Sequence, residues 1–115
     1  DLIDHLNLRK ADSDNPAFED KLAELRSNID KLDDLIIQKI GERMKIAEKI
    51  GEYKRDNNVT ILQVNRWDEI IQKRTQLAEA LTLSNDFAVK FLELVHNESI
   101  RKQNAIMNTQ PTAEA

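Results

Sequence analysis

Four cations stand at spaced positions along the chain, Arg26, Arg43, Lys54 and Arg66, and near its end Ser99 and Gln103 lie four residues apart. On a helix that spacing puts the hydroxyl and the amide on one face. Guanidinium and ammonium groups hold anions through charge-assisted hydrogen bonds. The usual machinery for other chemistry is missing. The sequence has no cysteine, no His-Glu-x-x-His pair, no glycine-rich phosphate loop and no nucleophile signature. His5 and His96 are isolated and read as surface or half-buried histidines, and Asp30, Asp33 and Asp34 read as a solvated helix face. General acid–base and covalent catalysis therefore have no clear players. Any one of the cations would pass as a surface charge; it is the set that asks for an explanation.

The elements that must position these groups are helical. Leu, Ile, Ala, Glu, Lys and Asn are abundant, with two glycines and two prolines in 115 residues. Asn15 reads as an N-cap, Pro16 as the first helical residue, and Glu19 and Asp20 as first-turn acids. Phe18, Leu22, Leu25, Ile29, Leu32, Ile36, Ile40, Ala47, Ile50 and Tyr53 then recur at helical spacing up to a break at Asp56-Asn57-Asn58. That is one helix of about 40 residues, roughly 60 Å long. Gly41 and Gly51 interrupt it, each costing about 1 kcal/mol against alanine. Either they are tolerated substitutions or another helix or a ligand comes close there.

Residues 56–63 read as a loop with an apolar centre. A second helix is expected from about Val64 to Leu81, with Val64, Trp67, Ile70, Ile71, Leu77, Ala78 and Leu81 on its apolar side. Ser84 reads as the N-cap of a third helix, from about Asn85 to Met107. Residues 1–15 are expected to be a linker or arm, 16–108 the domain, and 109–115 a disordered tail. The fold class is all-α, with three helices per chain.

A helix of roughly 60 Å overhangs a domain whose radius of gyration should be about 13 Å. Its apolar stripe needs a partner, and the simplest closed solution is a twofold dimer with paired, intertwined long helices. A simple coiled coil is the alternative, but the second and third helices carry enough apolar residues to fold back over the first. The formal net charge of −4 lends no support to nucleic-acid binding. No apolar run approaches membrane-spanning length, and no signal peptide is visible. The cytoplasm is the expected compartment. The chain starts at Asp1 without a methionine, which fits excision from a longer protein.

The cations fall within fragments that resemble the all-helical chorismate mutases. Leu25-Arg26-Ser27-Asn28-Ile29-Asp30-Lys31-Leu32-Asp33 is similar to that family's opening segment, Gly41-Glu42-Arg43-Met44-Lys45-Ile46-Ala47 to its second, and Gly51-Glu52-Tyr53-Lys54 to its third. Arg66 follows Lys54 by twelve residues, as the family's loop spacing requires, and Glu98-Ser99-Ile100-Arg101-Lys102-Gln103 resembles the closing segment. Each fragment alone is weak; their order and spacing over residues 18–107 are specific.

The resemblance implies conversion of chorismate to prephenate, an intramolecular Claisen rearrangement that calls for no cofactor, metal, proton transfer or covalent intermediate. The enzyme must hold a flexible dianion in its reactive chair form and stabilise negative charge growing on the breaking ether oxygen. By the same resemblance Arg43 and Arg26 bind substrate carboxylates, Lys54 reaches a carboxylate and the ether oxygen, and Gln103 donates to the ether oxygen. Ser99 contacts the ring carboxylate, and Arg66 belongs to the charged shell. Helix geometry agrees with such a site. Arg43 and Lys54 are about 16 Å apart along a helix and about 20° out of phase, so their long side chains could converge. Arg26 lies about 42 Å from Lys54 and should serve the partner's site.

Two positions depart from the family pattern. Gln63 stands where the family commonly has aspartate, and Trp67 where it has the glutamate that helps hold the ring hydroxyl. Gln63 still offers its backbone and an amide, whereas Trp67 removes a carboxylate and reads first as a core residue. The stretch Arg9–Phe18 resembles the junction at which a chorismate mutase domain follows a DAHP synthase domain, so a fused synthase is a candidate partner. Isochorismate–pyruvate lyases, which share the fold and much of the cationic site, and a non-catalytic helical dimerisation or regulatory module are the alternative readings.

Overall fold

The computed structural model describes residues 14–61 and 63–109. Among them are three helices and no strand: α1 (Pro16–Asp56), α2 (Val64–Ala80) and α3 (Asn85–Met107). Most of the expected arm, residues 1–13, and the expected tail beyond Thr109 lie outside the described residues. None of the described helices is long and apolar enough to cross a membrane.

The helix ends follow from local chemistry. Asn15 Oδ1 accepts hydrogen bonds from the backbone N–H of Ala17 at 3.0 Å and of Phe18 at 3.4 Å, and Pro16 occupies the position where a missing N–H costs nothing. Ser84 caps α3 in the same way, its hydroxyl accepting from Phe87 N–H at 3.2 Å. Both interior helix ends are Schellman motifs. After α1, Val59 N–H donates to the Lys54 carbonyl at 2.8 Å and Asn58 N–H to that of Arg55 at 3.3 Å, with Asn58 left-handed at φ 56°. After α2, Leu83 donates to Ala78 at 2.9 Å and Thr82 to Glu79 at 3.0 Å, with Thr82 at φ 60°. Asparagine tolerates that conformation, whereas a β-branched threonine is strained in it.

The chain divides into two compact units, residues 1–38 and 39–115. In the first, the described part of α1 displays Phe18, Leu25, Ile29, Leu32 and Ile36 to solvent, each about half-exposed in the single chain. In the second, the last turns of α1 join α2 and α3. Its buried apolar residues are Met44, Ala47, Ile61, Ile70, Ala78 and Ala88. Burial of each isoleucine contributes about 1.5–3 kcal/mol. Thr109 is held at its end, accepting from the Arg55 guanidinium at 2.7 Å and donating to the Ile106 carbonyl at 2.6 Å.

Three expectations change. Tyr53, placed on the apolar stripe by periodicity, is 72% exposed, and Leu77 and Leu81 also face solvent in the single chain. Trp67 is half-buried and lies outside the core. The two glycines part company. A Cβ on Gly41 would meet nothing within 4 Å, whereas one on Gly51 would lie 3.0 Å from Gln103 Cα and 3.2 Å from both the Gln103 carbonyl oxygen and Ile106 Cβ. At Gly51, α1 and α3 approach so closely that any side chain there would push the α3 backbone back by a few tenths of an ångström.

Candidate active site

That close approach brings α3 over the end of α1. Ser99 and Gln103, one turn apart on α3, are both buried polar residues, at 5% and 7% exposure. A buried polar group needs partners, and α1 supplies them. Lys54 Nζ donates to Gln103 Oε1 at 3.0 Å and to the Ile61 carbonyl at 3.0 Å. The Schellman turn explains the second bond: it reverses the chain after α1, and buried Ile61 anchors the returning loop within reach of the ammonium. The first bond orients the glutamine. Lysine only donates, so the amide oxygen must face it, and the amide NH2 is the end left to donate elsewhere.

Eleven residues before Lys54, Arg43 Nη1 donates to Ser99 Oγ, which in turn donates to the Val95 carbonyl at 3.0 Å and touches Met44 sulfur at 3.7 Å. The guanidinium is thereby braced at one nitrogen, with its remaining N–H donors available to an anion.

These groups line a cavity of about 260 Å³. Arg43, Lys54 and Arg66 supply three positive charges, Gln63, Ser99 and Gln103 uncharged polar groups, and Ile46, Ile50, Ile61, Ile70 and Ile100 apolar walls. None of the described residues lining it is acidic. Burial, then the charges of Arg66 and Arg74, hold the Arg43 guanidinium below its ordinary pKa. Burial alone lowers that of Lys54. A site of unbalanced positive charge with apolar walls is built to take up a compact anion and to stabilise negative charge inside it.

Six of the seven residues singled out in the sequence line this cavity: Arg43, Lys54, Gln63, Arg66, Ser99 and Gln103. Arg26, which belongs to the other unit, does not. Sequence reasoning missed His96, the Ile61 carbonyl and the charge of Arg74. His96 lines the cavity and stacks against Trp67, ring centroids 4.9 Å apart and planes tilted by 37°. The signal was present, because His96, Ser99 and Gln103 follow a spacing of three and four residues and so share one face of α3.

The family model of chorismate mutase type II matches residues 25–104 of the chain. The chain is 29% identical over 87 residues to the bifunctional chorismate mutase/prephenate dehydratase of Buchnera aphidicola subsp. Schizaphis graminum, covering 76% of this chain and 23% of that protein. It is 28% identical over 86 residues to the chorismate mutase of Methanocaldococcus jannaschii, covering 73% of this chain and 87% of that protein. It is 24% identical over 97 residues to the 4-amino-4-deoxychorismate mutase of Streptomyces venezuelae, covering 84% and 94% respectively. The chain thus spans about a quarter of the bifunctional relative and most of the length of the other two.

Proposed function

Since this chain belongs to the chorismate mutase type II family, we propose that it converts chorismate to prephenate in the cavity lined by Arg43, Lys54 and Gln103. The single observation that carries this reading is the Lys54–Gln103 pair: an ammonium and an oriented amide side by side in a site with no acid among the described lining residues. In the rearrangement a carbon–oxygen bond breaks as a carbon–carbon bond forms within one molecule. No proton has to move, and negative charge grows on the ether oxygen in the transition state. Donors already held in position stabilise that charge without reorganising.

The roles follow from charge and reach. Arg43, braced by Ser99, holds one substrate carboxylate. Lys54 and the Gln103 amide NH2 donate to the ether oxygen. Arg66 and Gln63 complete the polar wall, and the isoleucines keep the site dry and compress the dianion toward its reactive chair. With Trp67 in place of an acid, Gln63 is the neutral group left to meet the ring substituent. The relative named for 4-amino-4-deoxychorismate makes that substrate the natural comparison in an assay.

Two protomers pair along the exposed apolar stripe of α1, and the partner subunit's Arg26 supplies the second carboxylate anchor. Support comes from the half-exposed residues Leu25, Ile29, Leu32 and Ile36, and from the absence of Arg26 among the cavity's lining residues. A fused DAHP synthase domain is proposed on the likeness of residues 9–18 alone; the bifunctional relative carries a prephenate dehydratase instead.

The test is consumption of chorismate with identification of the product. Prephenate formation is the expected result. Release of pyruvate from isochorismate, with chorismate untouched, would favour the lyase, and turnover of neither would leave a non-catalytic helical module.

A further inference from the structure

His96 has no part in the reaction as described, yet its imidazole lines the same cavity. Trp67 on α2 packs against its ring, centroids 4.9 Å apart, and it shares with Ser99 and Gln103 the face of α3 that lines the cavity. The charged groups facing it are Arg43 from α1 and Arg66 from α2. On its own helix Glu93 stands one turn before it and Ser99 one turn after. An imidazole that shares a cavity with two guanidinium groups is in an unfavourable place to carry charge. It is in a favourable place once an anion has neutralised them.

We propose that His96 is a substrate-positioning residue whose proton is taken up together with the dianion, so that the imidazole, oriented by Trp67, donates a hydrogen bond to the bound ligand. The inference rests on the dianionic substrate of the proposed function. In the free protein burial, then Arg43 and Arg66, hold the imidazole below its ordinary pKa, so it is neutral at neutral pH. A ligand bearing two negative charges offsets both guanidinium groups and attracts the proton, which raises the pKa in the complex. Binding and protonation are then linked. Between the free and bound pKa values affinity falls by up to about tenfold for each unit rise in pH, and outside that window it is flat.

Trp67 is the sole tryptophan of the chain, so its fluorescence reports on this contact directly. A protonated imidazole quenches an indole stacked on it, whereas a neutral one does so far less. The experiment titrates Trp67 fluorescence against pH in the wild-type protein, first alone and then saturated with prephenate, and measures the prephenate Kd across the same range. The expected result is a midpoint below the usual histidine value in the free protein, an upward move of at least one pH unit in the complex, and a Kd that weakens between the two. His96→Asn should abolish the fluorescence titration and flatten the Kd profile over that window. A midpoint that stays put or falls on binding overturns the proposal, as does a His96→Asn profile that keeps the wild-type slope. A protein that turns over chorismate and binds prephenate without moving the midpoint refutes this inference alone. One that does neither removes the proposed function, and this inference with it.

Discussion

The Lys54 ammonium donates to the Gln103 amide oxygen at 3.0 Å, across 49 residues of sequence. This bond decides which end of the glutamine enters the cavity, and so which group meets the reacting atoms. Its consequence is a pH profile. A glutamine amide donates at every ordinary pH. Gln103→Glu would set a carboxylate beside Lys54, which favours the ionised form and leaves only an acceptor. At saturating substrate the wild-type rate should be flat through neutral pH and fall on the alkaline side as Lys54 loses its proton, below the range of a free lysine because burial lowers its pKa. The Gln103→Glu enzyme should be slower by about 10²-fold or more at neutral pH and recover as pH falls and the carboxyl protonates. Turnover against pH, with circular dichroism at each point, checks this. A flat profile in the variant would remove Gln103 from the reacting centre.

Arg43→Ala and Arg26→Ala should each reduce turnover by about 10²-fold or more while leaving helical content unchanged. If the cavity is completed by the partner subunit's Arg26, mixing the two variants and allowing subunit exchange should restore activity. Each mixed dimer then holds one site with both arginines. Verified heterodimers that stay inactive would rule out sharing of the site between protomers.

The glycines of α1 should respond oppositely to alanine. At Gly41 the added methyl meets nothing within 4 Å, so Gly41→Ala should stabilise by up to about 1 kcal/mol through helix propensity. At Gly51 it would press on Gln103 backbone at 3.0 Å, so α3 must shift. Overpacking of that kind costs about 1–3 kcal/mol. The same shift separates Gln103 from Lys54 and should lower kcat. Urea denaturation midpoints together with turnover distinguish the two, and a neutral Gly51→Ala would mean that the helices do not approach so closely.

Thr82 is held in the left-handed region at φ 60°, where a β-branched residue is strained. Thr82→Gly should raise stability by about 0.5–1 kcal/mol, since glycine is the usual residue at this position of a Schellman motif. Thermal unfolding of the variant gives the measurement, and a fall in Tm would contradict the assigned turn.

Much of the molecule was legible in its residues alone, wherever the determining interactions are local. Asn15-Pro16 and Ser84 announce helix starts because a cap is settled within three residues, and Asn57-Asn58 announces an end because asparagine tolerates a left-handed turn. The phase of Arg43 and Lys54 follows from helix geometry, and the order of the cations was enough to suggest a family. What tertiary structure decided is which helix face meets which. The sequence placed Ser99 and Gln103 on one face of α3, and only packing put that face opposite Arg43 and Lys54. It read Tyr53 and Leu77 as interior because their period is helical, but period identifies an apolar side without saying whether anything covers it. It left Gly41 and Gly51 equivalent, because a missing side chain matters only where another backbone arrives. His96 passed as an isolated histidine for the same reason. Its partners Trp67, Arg43 and Arg66 lie on two other helices, and the distance between them is a product of the fold.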